Sequence, residues 1–266
     1  MSPPTAAKVI NLIEHAPVKL PQVLAIDEFR GNAEGERFQC IIADPQHHKV
    51  LDILPSRKHE DIYHYLGQFK NRSDVKTVVM DMSGGYKSLM KRLFPDADIV
   101  IDKYHYIRQV GFAMEKVRIE EQKHYSDRWR KYFKRSRTLL LKNPSKLTTD
   151  DRIQLDNIFR ISKRLRKAYE LKQQFEYFKE SNTKDEARLR LAHFIVNAQA
   201  SDIQAFINVS FTFQRWSKEI LNSFDHPYTN GYIEGCNNRI KVLKRVSFGM
   251  PGFKRFRRRI LHIMLQ

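Results

Sequence analysis

The chain has 266 residues and carries 48 lysines and arginines against 30 aspartates and glutamates, a formal charge of +18. With 41% hydrophobic and 11% aromatic residues it can bury a core, which excludes a disordered basic tail, and ten glycines and ten prolines exclude collagen-like or low-complexity chains. Apolar runs such as VLAI at 23–26 reach only strand length, the N-terminus lacks a secretory-signal layout, and Cys40 and Cys236 form no CxxC pair, so a cytoplasmic protein without membrane association or thiolate metal is expected.

Residues 1–20 read as a lead-in. VLAIDEF at 23–29, RFQCIIAD at 37–44 and KVLDILPS at 49–56 are β-branched or aliphatic runs separated by turn residues, and they predict a three-stranded meander. In HEDIYHYLGQFK at 59–70, Ile62, Tyr65, Leu66 and Phe69 have the spacing of a helix with one buried face. VKTVVMD at 75–81 predicts a strand, SGGYKSLMKRLFP a short helix stopped by Pro95, and ADIVIDKYH at 97–105 a fifth strand. Residues 21–106 therefore predict an α/β mixed sheet in the order β-β-β-α-β-α-β. From 107 to 224 the pattern becomes helical, with breaks at 143–151 and 179–186, and reads as a large all-helical insertion. The segment 225–266 opens with a helix near Asn230, in which Ile233, Cys236, Ile240 and Leu243 make an inward stripe.

The positive charge is clustered. RWRKYFKRSR at 128–137 is one cluster, and the tail beyond Glu234 contains no acid but carries Arg239, Lys241, Lys244, Arg245, Lys254, Arg255, Arg257, Arg258 and Arg259. Phe248, Phe253 and Phe256 interleave with the tail cations, a mixture suited to phosphate contact with packing or base stacking. A polyanion such as DNA gains affinity from each cation that displaces condensed counterions. Asn237, Asn238, Arg239, Lys241, Lys244, Arg245, Lys254, Arg255, Arg257 and Arg258 are the candidate DNA contacts, a solvated basic face being the alternative. Trp129 and Trp216 suit either core packing or base stacking.

Asp27 follows the apolar run of the first strand, Asp81 ends that of the fourth, and Glu234 lies on the last long helix beside a basic strip. Acids at the ends of buried strands require a partner or a metal. Three such carboxylates suffice for two Mg²⁺ or Mn²⁺ ions that activate an attacking hydroxyl and stabilise the leaving oxygen of a phosphodiester. Alternatives stay open: Glu28 competes with Asp27, since neighbours on a strand face opposite ways, Asp81 has the composition of a helix cap, and Glu234 that of a solvated helix residue. Asp102 and His105 form a D-x-x-H after the fifth apolar run, either a structural pair or an active-site auxiliary, and Asp102 rivals Asp81 as second metal ligand.

AIDEF at 25–29, VVMDMSGGYKSLMKRLFPDADIVIDKYHYIRQV at 78–110 and YIEGCNNRIKVLKRVSFGMPGFKRFRRRI at 232–260 resemble the DDE transposases of the ISL3 family of bacterial insertion sequences. The resemblance implies a ribonuclease H-like catalytic fold, with Asp27 bridging two Mg²⁺ or Mn²⁺ ions and Asp81 and Glu234 each holding one. It implies DNA as partner, both transposon terminal inverted repeats and target DNA, with cleavage by water followed by attack of the exposed 3′-OH. A homodimer or higher assembly on nucleoid DNA is the expected working form. Family members carry an N-terminal zinc-binding Cys cluster and helix-turn-helix ahead of the catalytic region, which these 266 residues lack. A DNA-binding remnant without catalysis, and a ribonuclease H-like nuclease or resolvase, are the other readings.

Overall fold

A computed structural model describes residues 17–247 and 252–264, so most of the 1–20 lead-in, and Phe248 in the tail, lie outside the described residues. The chain divides into two units, Met1–Asp102 with His226–Gln266, and Lys103–Asp225.

The first unit is built on five strands, β1 (Val23–Phe29), β2 (Gln39–Asp44), β3 (Lys49–Leu54), β4 (Thr77–Met80) and β5 (Asp98–Ile101). Helices α1 (His59–Gly67) and α2 (Gly84–Leu93) stand between β3, β4 and β5 in the chain. Short polar turns join the first three strands, so β1–β2 and β2–β3 pair antiparallel. The β1–β4 and β4–β5 pairs are parallel, which requires crossover connections, and α1 and α2 supply them. The sheet order is β3-β2-β1-β4-β5. The fifth strand is shorter than the apolar run predicts: it ends at Ile101, and a helix starts at Lys103.

Strand alternation decides what each face carries. Val23, Ala25 and Phe29 of β1, Ile41 and Ala43 of β2, Val50 and Ile53 of β3, Val79 of β4 and Val100 of β5 share one buried cluster. The helices that complete it are α11 (Gly231–Val246), through Ile233, Cys236, Ile240 and Leu243, and α12 (Phe253–Met264), through Phe253, Phe256, Ile260 and Leu261. Each fully buried aliphatic or aromatic side chain stabilises the fold by about 1.5–3 kcal/mol. Leu24, Ile26, Ile42, Val78 and Met80, which alternation turns to the opposite face, are fully buried as well. Polar contacts seat α12: the Phe253 N–H donates to Glu34 Oε1 across 2.9 Å, and Arg257 donates from two nitrogens to both carboxylate oxygens of buried Asp52.

The second unit is helical throughout. Its helices are α3 (Lys103–Glu121), α4 (Asp127–Arg135), α5 (Arg137–Leu141), α6 (Thr149–Ile161), α7 (Lys163–Lys179), α8 (Lys184–Gln199), α9 (Gln204–Arg215) and α10 (Ser217–Asn222). The rings of Tyr106, Phe175, Phe178, Phe194 and Phe213 form its centre, with neighbouring centroids 5.5–6.3 Å apart. A capping box between Thr148 and Asp151 starts α6. Among the described residues no helix is long and apolar enough to cross a membrane.

Candidate active site

Register brings three acids into one row. β1 and β4 pair Val23 with Thr77 and Ala25 with Val79. Continued two residues further, that parallel register sets Asp27 beside Asp81. The β4–β5 register, with Met80 opposite Ile101, sets Asp81 beside Asp102 in the same way, and the Asp102 N–H donates to the Met80 carbonyl at 3.2 Å. Alternation turns Asp27 to the face that holds Val23, Ala25 and Phe29, and Asp81 and Asp102 to the face of Val79 and Val100. All three therefore stand at the carboxyl ends of adjacent parallel strands, on the face that α11 covers. A carboxylate oxygen of Asp81 lies within 4.8 Å of one of Asp102, which is itself buried.

Helix α11 reaches this row with two amides. The side chain of Asn237 donates to Asp27 Oδ2 at 2.9 Å, and that of Asn230, just ahead of the first turn, donates to Asp81 Oδ1 at 3.3 Å. Glu234 sits four residues after Asn230 and three before Asn237, so helical periodicity places it on the same side of α11, between two residues that touch the two acids. Glu234 is solvent-exposed while its neighbour Ile233 is fully buried. The residues that bear on the other two acids have partners of their own. Glu28 pairs with Arg57 at 2.7 Å, away from Asn237. The cap of α2 is Ser83, whose side chain accepts from the Tyr86 N–H, and Asp81 stands two residues ahead of it.

The residues fit a hard divalent cation. Asp27, Asp81, Asp102 and Glu234 are all carboxylates, the donor type that Mg²⁺ and Mn²⁺ select. In addition, Oδ1 of Asn230 and Oδ1 of Asn237 are buried without a hydrogen-bond donor, acceptors that the hydration shell of a cation can satisfy. Beyond the row, His105 falls in the first turn of α3 rather than on a strand, half-buried, its ring edge-on to Tyr104 with centroids 5.9 Å apart.

The basic residues separate into two groups. Asn238, Lys241 and Arg245 are exposed on α11, Lys241 donating to Asn238 Oδ1 at 3.1 Å, and Lys254 and Arg255 are exposed on α12, with Arg258 half-buried. Lys244 donates to the Arg30 carbonyl at 2.7 Å, and burial together with the Arg30 charge holds its ammonium below the usual lysine range. Arg239 donates to the Ile263 carbonyl, and Arg257 belongs to Asp52. Asn237, which the sequence suggests as a DNA contact, faces Asp27. Asn230 marks the start of this helix in the sequence, where nothing assigned it a role in the site. Its signal was present, in the spacing of Asn230, Glu234 and Asn237 along one helical face.

Comparison with known proteins bears on this arrangement. A profile of the DDE transposase family of the ISL3 type, described as transposase, matches residues 24–260. The chain is 29% identical over 233 residues to the transposase for insertion sequence element IS1001 of Bordetella parapertussis, covering 86% of this chain and 57% of that protein. It is 32% identical over 116 residues to the transposase for IS1557 of Mycobacterium tuberculosis, covering 44% of this chain and 26% of that protein. A Lactococcus lactis protein named ATP-dependent protease is 32% identical over 120 residues, 45% of this chain and 36% of its own length. The chain thus spans little more than half of the Bordetella relative's length, and less of the others.

Proposed function

The chain belongs to the ISL3 family of DDE transposases, and from that premise we propose that it cuts DNA at transposon ends and joins the freed end to target DNA. The observation that carries this reading is the placement of Glu234 on α11 between Asn230, bonded to Asp81, and Asn237, bonded to Asp27. A helix and the carboxyl ends of two adjacent strands contribute one triad of acids in this way. The strand order β3-β2-β1-β4-β5, with β2 antiparallel to its neighbours, supports a ribonuclease H-like core.

In this reading Asp27, Asp81 and Glu234 hold two Mg²⁺ or Mn²⁺ ions, with Asp102 and His105 as auxiliaries. The ions supply Lewis-acid stabilisation of charge on the attacking and leaving oxygens. The chain supplies position. Asn237 and Asn230 hold two carboxylates by charge-assisted hydrogen bonds, and the packed stripe of α11 fixes the backbone that carries the third acid. Lys241, Arg245, Lys254 and Arg255 carry the DNA backbone past the row. In the first step a water oxygen attacks phosphorus and the 3′ oxygen leaves, giving a 3′-OH and a 5′-phosphate. That 3′-OH then attacks a phosphodiester of the target, whose own 3′ oxygen leaves, so bond count is conserved without an energy-rich cofactor. Paired ends imply a homodimer or larger assembly, working on nucleoid DNA.

The test is Mg²⁺- or Mn²⁺-dependent cleavage of DNA bearing the flanking terminal repeats, compared with Asp27→Asn, Asp81→Asn and Glu234→Gln. Each variant is expected to lose cleavage while retaining salt-sensitive DNA binding. Cutting that survives in all three overturns the assignment.

A further inference from the structure

In the helical unit, α4 and α6 border an open groove of about 830 Å³. Arg128, Lys131 and Arg135 recur on one side of α4 at helical spacing, and Arg160 faces them from α6. The opposite side of α4 is committed inward: Phe133 is fully buried against Tyr125, with ring centroids 4.9 Å apart. Some other cations of this unit are matched, Arg118 by Glu115 at 2.6 Å and Arg164 by Glu120 at 2.8 Å. The four groove cations have no carboxylate partner among the described residues, and Asp127 at the start of α4 is the acid on the rim.

Trp129 lies in the same groove with 40% of its surface exposed, edge-on to Tyr132 at 5.6 Å. Trp216, in contrast, is 8% exposed and belongs to the interior. The exposed part of the indole is apolar surface that the fold leaves in water, while unmatched cationic groups around it repel one another. Both are favourable when a polyanion with flat apolar rings occupies the groove. Such a polymer is a single-stranded nucleic acid, since in a duplex the base faces are stacked away.

We propose that this groove binds a single-stranded stretch of DNA, its phosphates on Arg128, Lys131, Arg135 and Arg160 and a base stacked on Trp129. The proposal takes DNA as the polymer from the function proposed above, and places a contact for unpaired strands on the helical unit, apart from the row of acids. Its experiment measures binding of the 266-residue chain to three labelled DNAs: a blunt duplex, the same duplex with a single-stranded tail, and the single strand alone. Trp129→Ala is expected to weaken the tailed and single-stranded DNAs about tenfold, leaving the blunt duplex unchanged, and Trp129→Tyr to retain most of the affinity. Tryptophan emission quenched by single strands in the parent chain is expected to stay constant in Trp129→Ala. Combined Arg128→Ala, Lys131→Ala and Arg135→Ala is expected to lower the steepness of the salt dependence by about two, each phosphate contact on a single strand adding about 0.7. Combined Lys163→Ala and Arg166→Ala, two exposed cations on α7, serves as the charge control. Equal binding of all three DNAs by Trp129→Ala and the parent, or an equal loss in the control, overturns the groove and leaves the transposase reading standing. DNA binding by none of the proteins overturns both.

Discussion

Asn237 of α11 donates its side-chain amide to Asp27 of β1 across 2.9 Å and 210 positions of sequence. The other carboxylate oxygen of Asp27 accepts from the Glu28 N–H at 2.7 Å, so both oxygens are held. Helix α11 therefore sets the orientation of an acid on the central strand, and the same helix carries Glu234.

Removing that amide tests its role as a positioning residue. With Asp27 as a metal ligand, as proposed above, Asn237→Ala is expected to raise the Mn²⁺ concentration needed for half-maximal cleavage about 10–100-fold, the usual effect of losing a hydrogen bond to such a group. A Mn²⁺ titration of cleavage reads this directly, and an unchanged requirement would show the amide to be idle.

A cation shared by several carboxylates must stabilise the folded state by mass action. At 100 times its dissociation constant, Mn²⁺ is expected to add about 2.7 kcal/mol to unfolding free energy, seen as a higher melting temperature. Asp81→Asn should reduce this gain more than Asp102→Asn does. The reverse order would make Asp102, whose carboxylate lies within 4.8 Å of Asp81, the second ligand.

Arg257 separates stability from DNA affinity. Its partner Asp52 is 3% exposed, so Arg257→Ala leaves a buried charge uncompensated and is expected to cost about 3–5 kcal/mol in urea unfolding. The salt dependence of DNA binding should not change with it. A shallower salt slope with unaltered stability would assign Arg257 to DNA instead.

Both thiols bear on alkaline stability. Burial pushes Cys40 well above its ordinary 9.0, with Asp27 and Glu28 adding to the effect, and burial raises Cys236 too. The folded chain then keeps thiol protons that the unfolded chain releases, so this contribution is complete below the unfolded pKa of about 8.5 and is lost as pH rises beyond it. Urea midpoints are expected to be flat toward neutral pH and to fall on the alkaline side, less steeply in Cys40→Ala. A decline identical in that variant would rule out the Cys40 thiol as its source.

The sequence by itself determined the elements and the family. Five aliphatic runs, with helical spacing between the third, fourth and fifth, are a local pattern, and β-branched alternation and 3.6-residue periodicity express themselves within a few residues. The inward stripe of Ile233, Cys236, Ile240 and Leu243 was legible for the same reason, and all four are buried. The D-x-x-H at 102–105 reads as a strand end in the sequence, yet the short β5 gives way at Lys103 to a 19-residue helix. Tertiary structure alone decided the order of strands in the sheet, and with it the row of Asp27, Asp81 and Asp102. It also gave Asn237 to Asp27 and Arg257 to Asp52, and left Trp129 open while burying Trp216. Pairings between groups more than 200 positions apart follow from how packed layers bring distant chain together, and no local periodicity encodes which polar side chain will find which partner.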